Sequence, residues 1–216
     1  MDEKRRLQVF LVRHGEVAAN RRFAFIGRRN EVLTSNGVRQ ARALAETFKN
    51  QSVDRILSSP LERSVQTGEP IAEAVQLVLE EDIRLIEQSF GKWDGLTGAE
   101  IAAQGADERH RLLTWEQDPS TAPPGGESLL SVQRRVVGLV EELVATNVNS
   151  VVLISHVSPI KALLCQVLGL SLEHVRRFFL DPASISIVDW GSPPVLRLFN
   201  SHTSLDWQRS RWLTGP

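Results

Sequence analysis

Leu7-Gln8-Val9-Phe10-Leu11-Val12-Arg13-His14-Gly15-Glu16 opens the 216-residue chain with its most informative segment. Leu7 to Val12 is a short run of apolar, β-favouring side chains, which predicts a buried strand. The run stops at Arg13 and His14, and Gly15 allows an unusual turn or a close backbone approach to a ligand. In open α/β sheets, ligands bind beyond the carboxyl ends of the strands, where this segment delivers a guanidinium and an imidazole.

Working outward, the chain alternates strands and helices. Thr34 or Ser35 is a cap for a helix over Val38 to Lys49, whose apolar positions Ala41, Leu44, Ala45 and Phe48 recur at helical spacing. Val53 to Ser58 predicts a second strand, with Pro60 in the first turn of a helix running to about Ala74. Ile83 to Ile86 reads as a strand or extended segment, and Phe90 to Gly95 as a loop holding an aromatic. Two short helices are expected between Leu96 and Pro124, before the loop punctuation Pro123-Pro124-Gly125-Gly126. Glu127 to Ala145 is an amphipathic helix, Ser150 to Ser155 a third buried strand, and Pro159 to Leu168 a further helix. Ile185 to Trp190 and Val195 to Phe199 flank Gly191-Ser192-Pro193-Pro194 as a terminal hairpin. This alternation predicts an α/β sandwich with a mainly parallel sheet, to which the hairpin adds an antiparallel edge. With no repeat or linker, residues 1–216 read as a single domain.

Lys and Arg number 25 against 26 Asp and Glu, a net charge of -1. That balance argues against a surface that coats nucleic acid or membrane, while leaving room for a locally cationic pocket. A lone cysteine, Cys165, forms no internal disulfide and sits in an apolar helical run as a core thiol. The charged start, Met1 to Arg6, is neither a signal peptide nor a membrane span. The expectation is a cytoplasmic monomer or homodimer.

Reactive side chains gather at the predicted strand ends. Strand one ends in Arg13 and His14, the second leads into Ser59-Pro60-Leu61-Glu62-Arg63, Ile83 to Ile86 ends in Glu87, and the third strand ends in His156. Taken singly, each is more often a cap, a surface charge or a structural residue. Taken together they form a coherent set for phosphate chemistry. Arginine supplies fixed charge and a bidentate fork to a phosphate dianion. A neutral imidazole can attack phosphorus, a protonated one can hold charge on the equatorial oxygens, and Glu87 can serve as acid then base. No His, Cys, Asp or Glu cluster has metal-ligand spacing, so neither a metal nor another cofactor is expected.

These residues resemble the histidine phosphatase, or phosphoglycerate-mutase-like, superfamily. The resemblance rests on Leu11-Val12-Arg13-His14-Gly15-Glu16 with Asn20, Leu33-Thr34 through Gly37 with Gln40-Ala41, and Ser58-Ser59-Pro60-Leu61-Glu62-Arg63 with Thr67. It continues through Glu87 with Phe90-Gly91 and Trp93, Pro124-Gly125-Gly126-Glu127-Ser128, and Ser155-His156, covering about Leu7 to Phe199. It implies a three-layer sandwich with helices on both faces, His14 as nucleophile, Glu87 as proton donor, and Arg13, Asn20, Arg63 and His156 as phosphoryl ligands. Two positions depart from the family: Val17 replaces a common Thr, and Val157 a common Gly. Ser155-His156-Val157-Ser158-Pro159-Ile160-Lys161 and Asp181-Pro182-Ala183-Ser184-Ile185-Ser186 are similar to bacterial α-ribazole-phosphatase-like acid phosphatases. The short span from Glu87 to Gly125 lacks the insertion usual in cofactor-dependent mutases, which favours hydrolysis over transfer. The expected partner is a small phosphate monoester, α-ribazole phosphate being one candidate. The alternatives are a cofactor-dependent phosphoglycerate mutase and an inactive phosphate-binding protein. Arg21, Arg22, Arg28 and Arg29 read as a second anion reader or, for most of them, as solvated surface. Phe23, Trp93 and Trp115 read either as a pocket wall or as core. His110, His174 and His202 read as surface or structural residues.

Overall fold

Six strands form one sheet in the order β3-β2-β4-β1-β5-β6 in a computed structural model that describes residues 6–202. In chain order these strands are β1 (Leu7–Arg13), β2 (Arg55–Ser58), β3 (Leu79–Glu81), β4 (Ser150–Ser155), β5 (Ile185–Trp190) and β6 (Val195–Ser201). The helices are α1 (Ser35–Phe48), α2 (Glu62–Val75), α3 (Gly98–Ala102), α4 (Ala106–Gln117), α5 (Leu129–Val144) and α6 (Val157–Leu168). β1, β4, β2 and β3 pair in parallel, and β5 and β6 add the antiparallel edge that the hairpin predicts.

The two-residue period of β1 separates the layers. Phe10 and Val12 point to one face, where they pack with Leu44 and Phe48 of α1 and Ile71 of α2. Val9 and Leu11 point to the other, against Val136, Leu139 and Val140 of α5 and Ile160 and Leu163 of α6. The central strands are thus buried on both faces, which explains why Val9 to Val12 of β1 and Val151 to Ile154 of β4 read as unbroken apolar runs. Cys165 is buried in a cluster with Leu129 and Leu172. Among the described residues, no helix is long and apolar enough to cross a membrane.

The structure departs from the sequence reading in three places. Residues 83–85 are a 3-10 turn rather than a strand, because the Asp82 carboxylate accepts from the Arg84 amide and turns the chain. The strand lies just upstream as β3, whose Leu79-Glu80-Glu81 carries too few apolar residues to announce itself. Pro60 precedes the α2 cap, Leu61, instead of occupying the first turn; Pro70 lies inside the helix.

One contact joins the fold to the loop after β1. A Cβ on Gly37 would lie 2.3 Å from the Glu16 carbonyl oxygen, so only glycine lets α1 approach the backbone following His14. Gly138 in α5 has open space around the same imagined atom. We therefore expect Gly37→Ala to lower stability in urea denaturation by about 1–3 kcal/mol. Gly138→Ala should leave stability unchanged or raise it by up to about 1 kcal/mol.

Candidate active site

Parallel pairing brings the strand ends together. Arg13 is in register with Ser155, and Ser58 with Ile154, so the residues after β1, β2 and β4 emerge along one edge. His14 and His156 consequently stand side by side, with ring centroids 5.0 Å apart. Arg63 enters from the first turn of α2, and Glu87 from the loop beyond the 3-10 turn. Arg13, His14, Arg63, Glu87 and His156 are all buried.

The geometry specifies the state of His14. Its Nδ1 lies 2.7 Å from the Gly15 carbonyl, an acceptor, so Nδ1 carries the hydrogen and Nε2 keeps a lone pair. Arg63 Nε donates to that Nε2 at 3.3 Å. The Arg63 guanidinium is held by two carbonyls, through Nη1 to Arg29 and Nη2 to Gly27, each at 2.8 Å. Burial, reinforced by the positive charges of Arg63 and Arg13, holds the His14 imidazole well below the ordinary histidine range. It is a neutral base facing a fixed cation.

His156 is the residue before α6. Its Nε2 contacts Ser59 Oγ at 2.7 Å and Ser64 Oγ at 3.2 Å, while its buried Nδ1 has no hydrogen-bond partner among the described residues. Burial first, then Arg63 and His14, depress its protonation as well. Buried polar atoms are almost always paired, so the lone Nδ1 beside two arginines fits a site whose missing partner is an anion.

Glu87 Oε1 accepts from its neighbour Gln88 N at 2.7 Å and from Ser158 N, in the first turn of α6, at 3.2 Å. Among the described residues, Oε2 has a single hydrogen-bond contact, to Ser158 N at 3.4 Å. Burial nevertheless outweighs these bonds and the attraction of Arg63 and Arg135, raising the carboxyl above its usual range. The arrangement brings together a neutral imidazole, a carboxyl whose protonated form burial favours, and buried guanidinium charge.

The surrounding polar contacts hold this set in place. Gly15 N donates to Thr67 Oγ1, which itself donates to the Arg63 carbonyl, tying the loop that bears His14 to α2. Arg13 Nη1 donates to the Leu180 carbonyl at 2.6 Å, and Ala183 N donates to the carbonyls of Arg13 and His14. Asn20 lines the cleft with its Oδ1 accepting from Val17 N, leaving its amide nitrogen available to a ligand.

The cleft has a volume of about 240 Å³ and brings Arg13, His14, Asn20 and Glu87 together. Of the aromatics, Trp115 lines it as one of the two sequence readings holds. Phe23 is 67% exposed and lies off the cleft, and Trp93 is buried with Nε1 donating to Glu108. Phe25 and Phe90 form the wall instead, stacking around Trp115. Sequence reasoning also passed over Lys161, which lines the cleft one helical turn beyond Val157. A cation at i+4 from the first helical residue was the signal available.

Arg21 and Arg22 pair with Glu16 and Glu100 at the surface. Arg28 pairs with Glu127 and reaches the Glu87 carbonyl, and Arg29 offers its own carbonyl to Arg63. His202, read as surface or structural, is structural: it is buried against Asp181 Oδ2 at 2.9 Å.

A family model described as histidine phosphatase superfamily (branch 1) matches residues 9–200. The chain belongs to this superfamily. Phosphoserine phosphatase 1 of Hydrogenobacter thermophilus is 35% identical over 84% of this histidine phosphatase and 86% of its own length. Among solved structures, mycobacterial glucosyl-3-phosphoglycerate phosphatase Rv2419c superposes with a TM-score of 0.81 at 30% identity, covering 91% of this chain and 100% of that one. The same mycobacterial phosphatase has been solved with inorganic phosphate. α-Ribazole phosphatase from Shigella flexneri gives a TM-score of 0.79 at 25% identity, covering 90% and 96%. The chain spans half the length of some curated relatives, among them a bifunctional Mycobacterium tuberculosis protein, Rv2228c.

The two neutral imidazoles make this histidine phosphatase sensitive to acid. Below the ordinary histidine value near 6.5, the unfolded chain binds protons that folded His14 and His156 do not, so stability falls as pH falls. Each contributes a slope of up to about 1.4 kcal/mol per pH unit in that range, and raised Glu87 works in the opposite direction. Thermal melts at pH 7.5 and 5.5 should show this loss, and the double variant His14→Gln/His156→Gln should show a smaller one.

Proposed function

We propose that this enzyme hydrolyses small-molecule phosphate monoesters through a phosphohistidine on His14, with arginines rather than a metal ion meeting the phosphate. The observation that carries the reading is the His14 tautomer: Nδ1–H is tied to the Gly15 carbonyl, so the Nε2 lone pair faces buried Arg63. Arg13, Arg63, Asn20 and the Nδ1 of His156 would receive the phosphoryl oxygens. A dianion there favours the charged imidazolium, so His156 takes up a proton on binding and stabilises the equatorial charge of the transition state.

In the first step Nε2 attacks in line. The P–N bond forms as the ester P–O bond breaks, and Glu87 transfers its proton to the leaving alkoxide. With Oε1 occupied by two amides, Oε2 is the oxygen that carries this proton. In the second step the Glu87 carboxylate takes a proton from water, the water oxygen attacks phosphorus, and the P–N bond breaks to return neutral His14 and inorganic phosphate.

Hydrolysis rather than transfer is supported by the short segment between Glu87 and Gly125, which folds into a 3-10 turn at Gly91–Trp93 and the helices α3 and α4. Its relatives act on phosphoserine, glucosyl-3-phosphoglycerate and α-ribazole phosphate by name. The aromatic wall of Phe25, Phe90 and Trp115 keeps α-ribazole phosphate, with its flat heterocycle, among the candidate substrates.

Phosphate release from a panel of monoesters in the presence of EDTA tests the reading, with survival of activity expected. Transfer between 3- and 2-phosphoglycerate without release would contradict it. His14→Ala should lower kcat by about 10³-fold or more while the protein stays folded. Glu87→Gln should slow alkyl phosphates by about 10²–10⁴-fold and aryl phosphates far less. Since Glu87 is raised and His14 depressed, kcat/KM should be highest on the acid side of neutrality. Its alkaline limb should disappear in Glu87→Gln; a limb that persists assigns the acid elsewhere.

A further inference from the structure

The phosphoryl machinery leaves one cation in the cleft without a task. Lys161 projects from the same face of α6 as Val157 and Ser158 and lines the same cleft as Glu87. Among the described residues its Nζ makes no hydrogen bond or salt bridge; its recorded neighbour is the Phe178 ring, at 5.4 Å. Burial, with Arg13 and Arg176 nearby, pulls the ammonium down to about 8, so it is still charged at neutral pH. The other charges on this rim are accounted for. Arg176 stacks over Trp115 at 4.5 Å and pairs with Glu116 at 3.5 Å, while Glu173 is mostly exposed and lies near His174. Glu87 attracts the Lys161 ammonium at longer range, but among the described residues of this rim Lys161 is the half-buried cation left with neither a hydrogen bond nor a salt bridge.

An unpaired charge drawn partly out of water costs stability, and a cleft that keeps one aims it at a ligand. Resting on the reading of the site as a phosphatase, we propose that Lys161 is a specificity residue that binds a carboxylate on the alcohol part of the substrate. The preferred substrates would be phosphate esters of small hydroxy acids. A lysine ammonium is a compact point charge on a flexible stem, suited to one carboxylate oxygen rather than to the forked grip that Arg13 and Arg63 offer the phosphate. The Arg176–Trp115 stack would form the side wall against which the carbon skeleton lies.

A matched pair of substrates isolates the effect. 3-Phosphoglycerate and glycerol 3-phosphate differ only in a carboxylate against a hydroxymethyl group. Wild-type enzyme should prefer the former in kcat/KM. Lys161→Met should cut kcat/KM for 3-phosphoglycerate about 10- to 100-fold, mainly through KM, as expected for loss of a charge-assisted hydrogen bond. Turnover of glycerol 3-phosphate should change less than about threefold, which also reports that the variant is folded, and Lys161→Arg should recover part of the preference. Equal losses on both substrates would place Lys161 at the phosphoryl group and overturn the assignment. So would a wild-type enzyme that cleaves aryl phosphates without discriminating within the pair. Failure to cleave any ester would instead overturn the phosphatase reading itself.

Discussion

Arg63 is fully buried, and among the described residues no carboxylate lies within salt-bridge distance of it. A guanidinium in that position would be costly if its hydrogens were unsatisfied. Here the carbonyls of Gly27 and Arg29 hold two of its nitrogens, which leaves Nε against His14. Carbonyl dipoles solvate the charge without cancelling it. The field of that charge, added to burial, keeps both imidazoles deprotonated in the free protein. It also makes the cleft favourable to a dianion, and in the proposed reaction the arrival of that dianion would reverse the bias on His156. The resting state of the base and the affinity for its substrate therefore share one cause.

The sheet topology makes this possible at modest cost. Parallel pairing of β1, β4 and β2 aligns three carboxyl ends, so residues far apart in sequence meet without long loops. The N-termini of α2 and α6 then deliver Arg63 and the amide that binds Glu87. Two layers of helices bury both faces of the central strands, and the site inherits their rigidity. Close approach at Gly37 and the Thr67 bridge transmit that rigidity to the loop bearing His14.

Much of this was legible in the sequence because it depends on local chemistry. β4 is the clearest case: an unbroken apolar run ending in His156 has the bounds of the observed strand. Arg13, His14, Arg63, Glu87 and His156 were all found at or near strand ends, and they do converge. What escaped depends on packing between distant segments. β3 is a short edge strand with exposed glutamates, so no pattern marks it. Whether Trp93 or Phe90 faces the cleft depends on how residues 90–95 pack under α4, and the capture of Trp93 Nε1 by Glu108 decides it. Phe23 adopts a positive φ of 55° that turns the chain there, and Phe25 takes the wall position. That Lys161 lines the cleft depends on how α6 docks beside it, which no local pattern in the sequence settles.

The central claim is that His14 Nε2 is the atom that takes the phosphoryl group. The most direct measurement is a rapid alkaline quench of the enzyme during turnover of a labelled phosphate monoester, followed by peptide mapping. Alkali-stable, acid-labile label is expected on the peptide containing His14, bonded through Nε2 and absent in His14→Ala. Label on a serine such as Ser59, or full turnover by His14→Ala, would contradict it.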